Sequence, residues 1–382
     1  MSQARVLHVF KYFRPRFTGE GIFVERLAPI FGRLRPDVIH DIAVTATPRP
    51  DTLALPAGLG AIHYLAGKDA ETSQPSLVLW LARNAHRYRA VHYHTHVDRT
   101  FAASLWLRLS GTRVLLSSTL SDSVPGILKT YRPIWRPLVR RLMATIGRYI
   151  AISTKLFQEN SQHVPCYKSE LLPVGIPIPK DCVSARQSSR AKLNLAPDDA
   201  VLVSVGGICA RKDQLFLVRQ MPALLRNHPR LRLVLAGPIL ESDYKNQIDA
   251  VIAAEGLADH VRFAGYTETP SDFYSAADIM VFASREEGFG TVVIEAMAHR
   301  LPVIARHLPG VNDMFVKPGV SGYLFKQADE FQQHADRLLA SGVLRARMGA
   351  AGRAFVAAHF DISVIAARYL TLYGFPSQSV HP

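Results

Sequence analysis

The chain has 382 residues, 48% of them hydrophobic, with 24 glycines and 24 prolines. This supports about two packed domains of roughly 150 to 200 residues each and excludes wholesale disorder. The net charge of +14 is uneven: residues 1–180 carry 24 Lys and Arg against 11 Asp and Glu, residues 181–382 carry 21 against 20, so the basic half is expected to meet an anionic partner.

Residues 5–10 read as an opening strand, followed by a loop with Pro15 and Gly19 and a helical period over 21–33 that sets Phe23, Leu27 and Ile30 on one side. Residues 1–13 hold no secretory-type apolar core, and no stretch approaches the roughly 18 apolar residues that span a bilayer. Further strands are expected at 39–45, 90–94, 114–117 and 149–152, with helices between several of them, a pattern that implies a parallel sheet covered on both faces. The proline-rich stretch 173–180 and the polar run to Asp199 read as a linker. A second series of strands follows at 201–205, 231–236, 261–264, 279–282 and 302–305, and residues 344–373 are helical with a break near Phe360 and Asp361. Cys166, Cys182 and Cys209 match no paired or metal-ligand spacing, which favours a reducing, cytoplasmic compartment.

Two loops carry candidate chemistry. The strand 201–205 ends in Gly206 and Gly207 with Arg211 and Lys212 close behind, where glycines let backbone approach a phosphate and cations neutralise it. The strand 279–282 leads through Glu287, Gly288, Phe289 and Gly290 into a helix from Thr291 that is apolar except for Glu295. A buried ionised carboxylate is costly without a partner, so these two glutamates are expected to face a polar ligand. Exposed amides and the positive dipole end at Thr291 suit a diphosphate, and the carboxylates suit sugar hydroxyls.

Glu287 and Glu295, Glu-Gly-Phe-Gly at 287–290, Glu-Ala-Met-Ala at 295–298, Leu-Pro-Val-Ile at 301–304, Pro309-Gly310, the run 319–325 and the closing 360–373 pattern resemble the retaining nucleotide-sugar glycosyltransferases of family 4. The likeness runs loosely into the amino half through 12–15, Thr18-Gly19-Glu20 and Ile-Ala-Ile-Ser at 150–153. It implies an α/β GT-B fold: two Rossmann-like doubly wound domains facing across a cleft. The acceptor-side domain would hold residues 1–178 and a returning helix at about 360–382, the donor domain 179–359. By the same likeness, Glu287 would sit by the donor sugar, Gly288, Phe289, Gly290 and Thr291 would offer backbone groups, and Glu295 would hold the ribose. Lys212 matches the diphosphate-binding lysine. Gly207 stands where the family usually has an arginine, which Arg211 would replace. Gly19, Gly237 and Pro238 would line the donor, with Tyr266 near the base.

In the amino half, Ser121 or Asp122 would occupy the neighbourhood where relatives often place a histidine. His92, His94 and His96 alternate and would share a strand face. With no carboxylate or cysteine beside them, His94 is expected to line an acceptor-side cleft and no metal is expected. No Asp-x-Asp cation motif occurs, so no cofactor is expected beyond the nucleotide-diphosphate sugar itself.

All three tryptophans, Trp80, Trp106 and Trp135, lie in the basic half with an arginine within three residues. Within 131–148 the residues Trp135, Leu138, Val139, Leu142, Met143 and Ile146 repeat at helical spacing among arginines, which describes either an ordinary core helix or a membrane-surface one. Charge asymmetry favours contact with anionic lipid, and no nucleic-acid module is visible. The expected activity is metal-independent hexosyl transfer to a glycan, polyprenyl-diphosphate-linked acceptor in bacterial-type surface polysaccharide biosynthesis, at the cytoplasmic face of the membrane. The alternative is a catalytically inactive homologue that binds sugar nucleotide as an interaction subunit.

Overall fold

The computed structural model describes residues 3–14, 19–47, 49–50, 55–65, 74–94, 100–120, 123–180, 185–267 and 270–376. The chain divides into two compact units, the first Met1–Gly175 with Ile362–Pro382, the second Ile176–Asp361.

Unit 1 contains the strands β1 (Ala4–Phe10), β2 (Val38–Val44), β3 (Leu59–Tyr64), β4 (Ala90–Tyr93), β5 (Arg113–Ser118), β6 (Arg148–Ala151) and β7 (Ser169–Leu171). Its helices are α1 (Gly19–Leu34), α2 (Gln74–Asn84), α3 (Thr100–Leu109), α4 (Val124–Thr130), α5 (Arg136–Met143) and α6 (Thr154–Ser161). All pairings are parallel and the strand order is β3-β2-β1-β4-β5-β6-β7. One face packs Leu7, Val9, Val91 and Leu116 against Leu77, Leu81, Leu107, Val139 and Met143 from α2, α3 and α5. The other packs Val6, Leu115 and Ile150 against Phe23, Leu27 and Phe31 of α1 and against Ile365, Tyr369 and Tyr373, from a helix that returns after unit 2. Covering both faces explains the near-continuous apolar runs of β1 and β2. The returning helix approaches so closely that a Cβ on Gly175 would lie 2.9 Å from Ile365.

Unit 2 contains β8 (Ala200–Val205), β9 (Leu231–Ala236), β10 (Val261–Gly265), β11 (Ile279–Phe282), β12 (Val303–Arg306) and β13 (Gly322–Phe325), ordered β10-β9-β8-β11-β12-β13 and all parallel. Its helices are α7 (Arg186–Lys192), α8 (Gln214–Leu225), α9 (Ser242–Ala254), α10 (Ser271–Ala276), α11 (Thr291–Ala298), α12 (Ala328–Leu339) and α13 (Gly342–Phe360), after which α14 (Ile362–Tyr373) rejoins unit 1. Leu233, Leu235, Val281 and Ile304 centre its core against Val218, Met221, Ile248 and Phe331. Helix α11 lies tight on α13, where a Cβ on Gly349 would clash with the Arg300 carbonyl. Both sheets are doubly wound in the Rossmann manner, and no described helix is long and apolar enough to cross a membrane.

The apolar period expected over 131–148 divides between two roles. A short 3-10 turn (Pro133–Trp135) precedes α5, and Val139, Met143 and Ile146 enter the core while Trp135 stays 55% exposed and Leu138 48%.

Candidate active site

In unit 2 the strand order reverses direction between β8 and β11, so the loops leaving their carboxyl ends diverge and open a crevice where ligands of such sheets bind. The loop after β8 is shaped by Gly206 at φ +149° and pressed by Gly237 at φ +148° after β9. A Cβ on Gly237 would sit 2.1 Å from the Gly206 carbonyl oxygen, so a side chain there would force the loops apart. Gln214 secures the turn by donating to the Gly207 carbonyl at 2.9 Å. A 3-10 turn (Ala210–Lys212) then delivers the two cations to the loop after β11.

There Lys212 Nζ donates to Glu287 Oε1 at 2.5 Å, and Arg211 Nη1 lies 3.2 Å from the same oxygen while donating to the Glu286 carbonyl at 2.8 Å. The Arg285 amide donates back to the Arg211 carbonyl at 2.9 Å, binding the two loops together. Arg211 therefore occupies the mouth beside Lys212, although Gly207 holds the position where an arginine was expected by likeness. Gly290, at φ +90°, lets the chain turn into α11, whose amino end no side chain caps. Next to it Phe289 is buried against Phe315 and Phe360, at ring separations of 5.4 and 5.9 Å, which anchors the Glu287–Thr291 loop. Glu295, partly exposed on α11, accepts from the Tyr274 hydroxyl at 3.0 Å. Pro238 is exposed, its carbonyl accepting from the Ile208 amide at 2.8 Å, and Tyr266 is 59% exposed.

A residue not singled out from the sequence holds this mouth in shape. Asp213, buried at 4% exposure and in the left-handed region at φ +52°, accepts from Arg285 Nε at 2.9 Å and from Arg306 Nη2 at 2.8 Å. One carboxylate thus ties the start of α8 to the ends of β11 and β12. The Arg-Lys-Asp run at 211–213 was the available signal, since Asp tolerates positive φ better than most residues. Beside the mouth lies a groove of about 690 Å³ whose lining includes Asp213, Glu241, Tyr244 and Arg285 but neither Lys212 nor Glu287.

In unit 1, Gly19 is exposed at the start of α1, and Ser121, Asp122 and His96 lie outside the described residues. His92 and His94 do share a face, with ring centroids 3.9 Å apart, but the expectation that His94 lines a cleft is corrected. It is buried, stacks on Phe10 at 4.5 Å, and its Nε2 lies 2.9 Å from His8 Nδ1. His8 Nε2 is 3.0 Å from His40 Nδ1, and His92 bridges the Tyr373 hydroxyl and Ser117 Oγ at 2.8 Å each. With every ring neutral, His40 can donate to His8 and His8 to His94, which leaves the partnerless His40 Nε2 as a lone pair rather than an unmet donor. Burial pushes His40 and His92 down to about 3 and holds His8 and His94 well below the ordinary histidine value. One nitrogen from each of His8, His92 and His94 falls within 4.8 Å of the others. His8 and His94 already pair with each other and His92 with two hydroxyls, and no described carboxylate joins them, so the arrangement fits a hydrogen-bonded core better than ligation of a dication.

Residues 185–355 match the family described as glycosyl transferases group 1. Over 169 residues the chain is 32% identical to D-inositol 3-phosphate glycosyltransferase of Geodermatophilus obscurus, covering 42% of this chain and 37% of that protein. Over 345 residues it is 24% identical to alpha-D-kanosaminyltransferase of Streptomyces kanamyceticus, covering 85% of this chain and 87% of the other. The crystal structure of Anabaena HepE in complex with UDP and glucose superposes with a TM-score of 0.75 at 17% identity, over 97% of this chain and 99% of that one. The fold is thus of the GT-B class, and residues 185–355 are similar to the group 1 glycosyl transferases.

Proposed function

We propose that the protein is a retaining glycosyltransferase of the family 4 kind. It transfers a hexosyl unit from a nucleotide-diphosphate sugar to a glycan acceptor carried on a polyprenyl diphosphate, in surface polysaccharide assembly. The observation that carries this reading is the convergence of Lys212, Arg211 and Glu287 at the switch point of unit 2, beside the uncapped start of α11. An incoming diphosphate competes with Glu287 for Lys212 and Arg211, and the freed carboxylate meets the donor sugar. Glu295, held by Tyr274, takes the ribose hydroxyls. As the glycosidic bond breaks, charge grows on the leaving diphosphate, where preorganised cations and helix amides stabilise it without a metal ion. The acceptor hydroxyl attacks on the face the diphosphate leaves, and a phosphate oxygen takes its proton. The relatives named for glycosyl transfer and the UDP bound to HepE agree with this donor class.

An anionic membrane surface is proposed as the place of work, at its cytoplasmic face. Support comes from Ile134 and Trp135, exposed beside Arg136, Arg140 and Arg141 on unit 1.

The test is to incubate the protein with a panel of nucleotide sugars and membrane extract and follow release of nucleoside diphosphate. Acceptor-dependent release is expected. Binding without turnover would replace this reading with that of an inactive sugar-nucleotide-binding subunit, and release without acceptor would indicate a hydrolase.

A further inference from the structure

The amino-terminal edge of the first sheet carries charge that the proposed chemistry does not use. Four neighbouring strands begin on or just after a cation: Arg89 precedes β4, Arg113 opens β5, Arg148 opens β6 and Lys168 precedes β7. Neighbouring strands are about 4.8 Å apart, so like charges recur at short intervals along this edge. Arg108, in the last turn of α3, joins the row by donating to the Thr145 carbonyl at 3.3 Å. At the start of β1, Arg5 is neutralised by Asp41 at 2.6 Å, whereas none of these five cations has a carboxylate partner among the described residues. Lys168 registers the crowding: burial, then Arg108 and Arg148, push it below the ordinary lysine value.

Arg108, Arg113 and Arg148, with Thr112, Gly147 and Thr371, line a groove of about 480 Å³. Among the described residues each guanidinium there has a single long bond to a carbonyl, 3.3 Å for Arg108 to Thr145 and for Arg113 to Leu372 and 3.4 Å for Arg148 to Gly147. Most of their N–H groups are therefore available to an oxyanion, whose paired oxygens match the guanidinium fork. Lys168 is held by the Ala144 and Ile146 carbonyls, whereas the three guanidinium groups of the groove repel one another, a repulsion that a bound anion would offset. The chemistry beside the groove indicates which one: α3 turns Leu105, Trp106 and Leu109 outward, with Leu109 80% exposed. An apolar and aromatic rim next to a cationic groove matches the layering of a bilayer interface rather than a soluble anion.

We infer that this groove takes the phosphate of an anionic phospholipid headgroup, with Trp106 and Leu109 entering the interface alongside it. The inference rests on the membrane contact proposed above and deepens it by assigning a discrete headgroup site apart from α5.

The experiment measures binding of the full chain at low salt to phosphatidylcholine vesicles with and without phosphatidylglycerol, for the wild type, for Arg108→Gln with Arg148→Gln, and for Arg108→Lys with Arg148→Lys. Both arginines are exposed, and thermal melting confirms that each variant folds. At about fivefold per cation near an anionic surface, the glutamine pair is expected to bind phosphatidylglycerol vesicles roughly 25-fold more weakly. The lysine pair, which keeps the charge and loses the fork, is expected to be several-fold weaker than wild type. Unchanged binding in the glutamine pair, or full retention in the lysine pair, overturns the headgroup site while leaving a diffuse membrane contact standing. A wild type indifferent to phosphatidylglycerol removes the membrane reading and this site together. A rise in Tm with inorganic phosphate at matched ionic strength, without vesicle binding, assigns the groove to a soluble anion and overturns the lipid.

Discussion

The two sheets wind in the same order around their first strand, yet they keep polar groups in opposite places. In unit 2 one group of ionised side chains lies past the carboxyl ends of the strands, where Lys212 and Arg211 meet Glu287, and Asp213 meets Arg285 and Arg306. In unit 1, His8, His40 and His92 lie within the strands and His94 just beyond β4, shut off from water by Phe31, Tyr369 and Tyr373. Ionised groups at a loop mouth stay charged because opposite charges and solvent stabilise them, whereas the same dry core that holds unit 1 together forces its histidines to be neutral. A polar residue in such a sheet is therefore a statement about ligand chemistry only at the strand ends, clear of the dry core.

The largest expected effect breaks the mouth of unit 2. Lys212→Ala is expected to lower turnover about 100-fold or more in the nucleotide-release assay, in a chain that a melting curve shows still folded, because the leaving diphosphate loses a preorganised cation. A loss under tenfold would move the chemistry elsewhere. Next, Asp213→Asn leaves Arg285 and Arg306 without their shared anion. Removing one partner of a buried pair costs about 3–5 kcal/mol, reduced here to about 2–3 because Arg285 is mostly exposed. Urea unfolding followed by a probe in unit 2 checks this, and a neutral result would show the mouth to be held by backbone bonds alone.

The smallest effect sharpens the contrast from the side of unit 1. Its histidines have folded-state values below the unfolded value of about 6.5, so they contribute stability in full above that pH and lose it as pH falls toward the folded value, about 3 for His40 and His92. At pH 5.5 the expected loss is roughly 1 kcal/mol for each of these two residues. His40→Gln and His92→Gln should flatten the dependence, read by the pH profile of unfolding monitored in unit 1. Among the described residues no carboxylate bonds to the four-histidine cluster, so the part of the slope that these substitutions remove carries the sign of histidine.

The sheets of both units were legible because buried parallel strands write themselves as unbroken apolar runs. β3, β7 and β13 escaped the strand assignment for physical reasons. β3, at a sheet edge, is interrupted by Gly60 and His63, β7 has three residues, and β13 lies between glycine turns and a charged loop. At the mouth, Glu287, Lys212 and Glu295 stood out because charge in an apolar setting demands an explanation. Asp213 did not, since its role depends on Arg285 and Arg306, which lie 72 and 93 positions away in the chain. The histidines misled in the same way: alternation fixes a shared face but not whether that face is wet. His8 and His40, which complete the cluster, belong to other strands.

Helix α14 closes one side of the first core, and its Tyr373 satisfies His92 from 281 positions away. During synthesis the first 175 residues must therefore wait, with Leu115 and Ile150 uncovered and the His92 ring short of one partner, until the ribosome has passed residue 373. The second unit is complete at residue 361 and can fold first, so of the two units the one begun earlier is the later to become native, and it is the one that nascent-chain chaperones would have to shield.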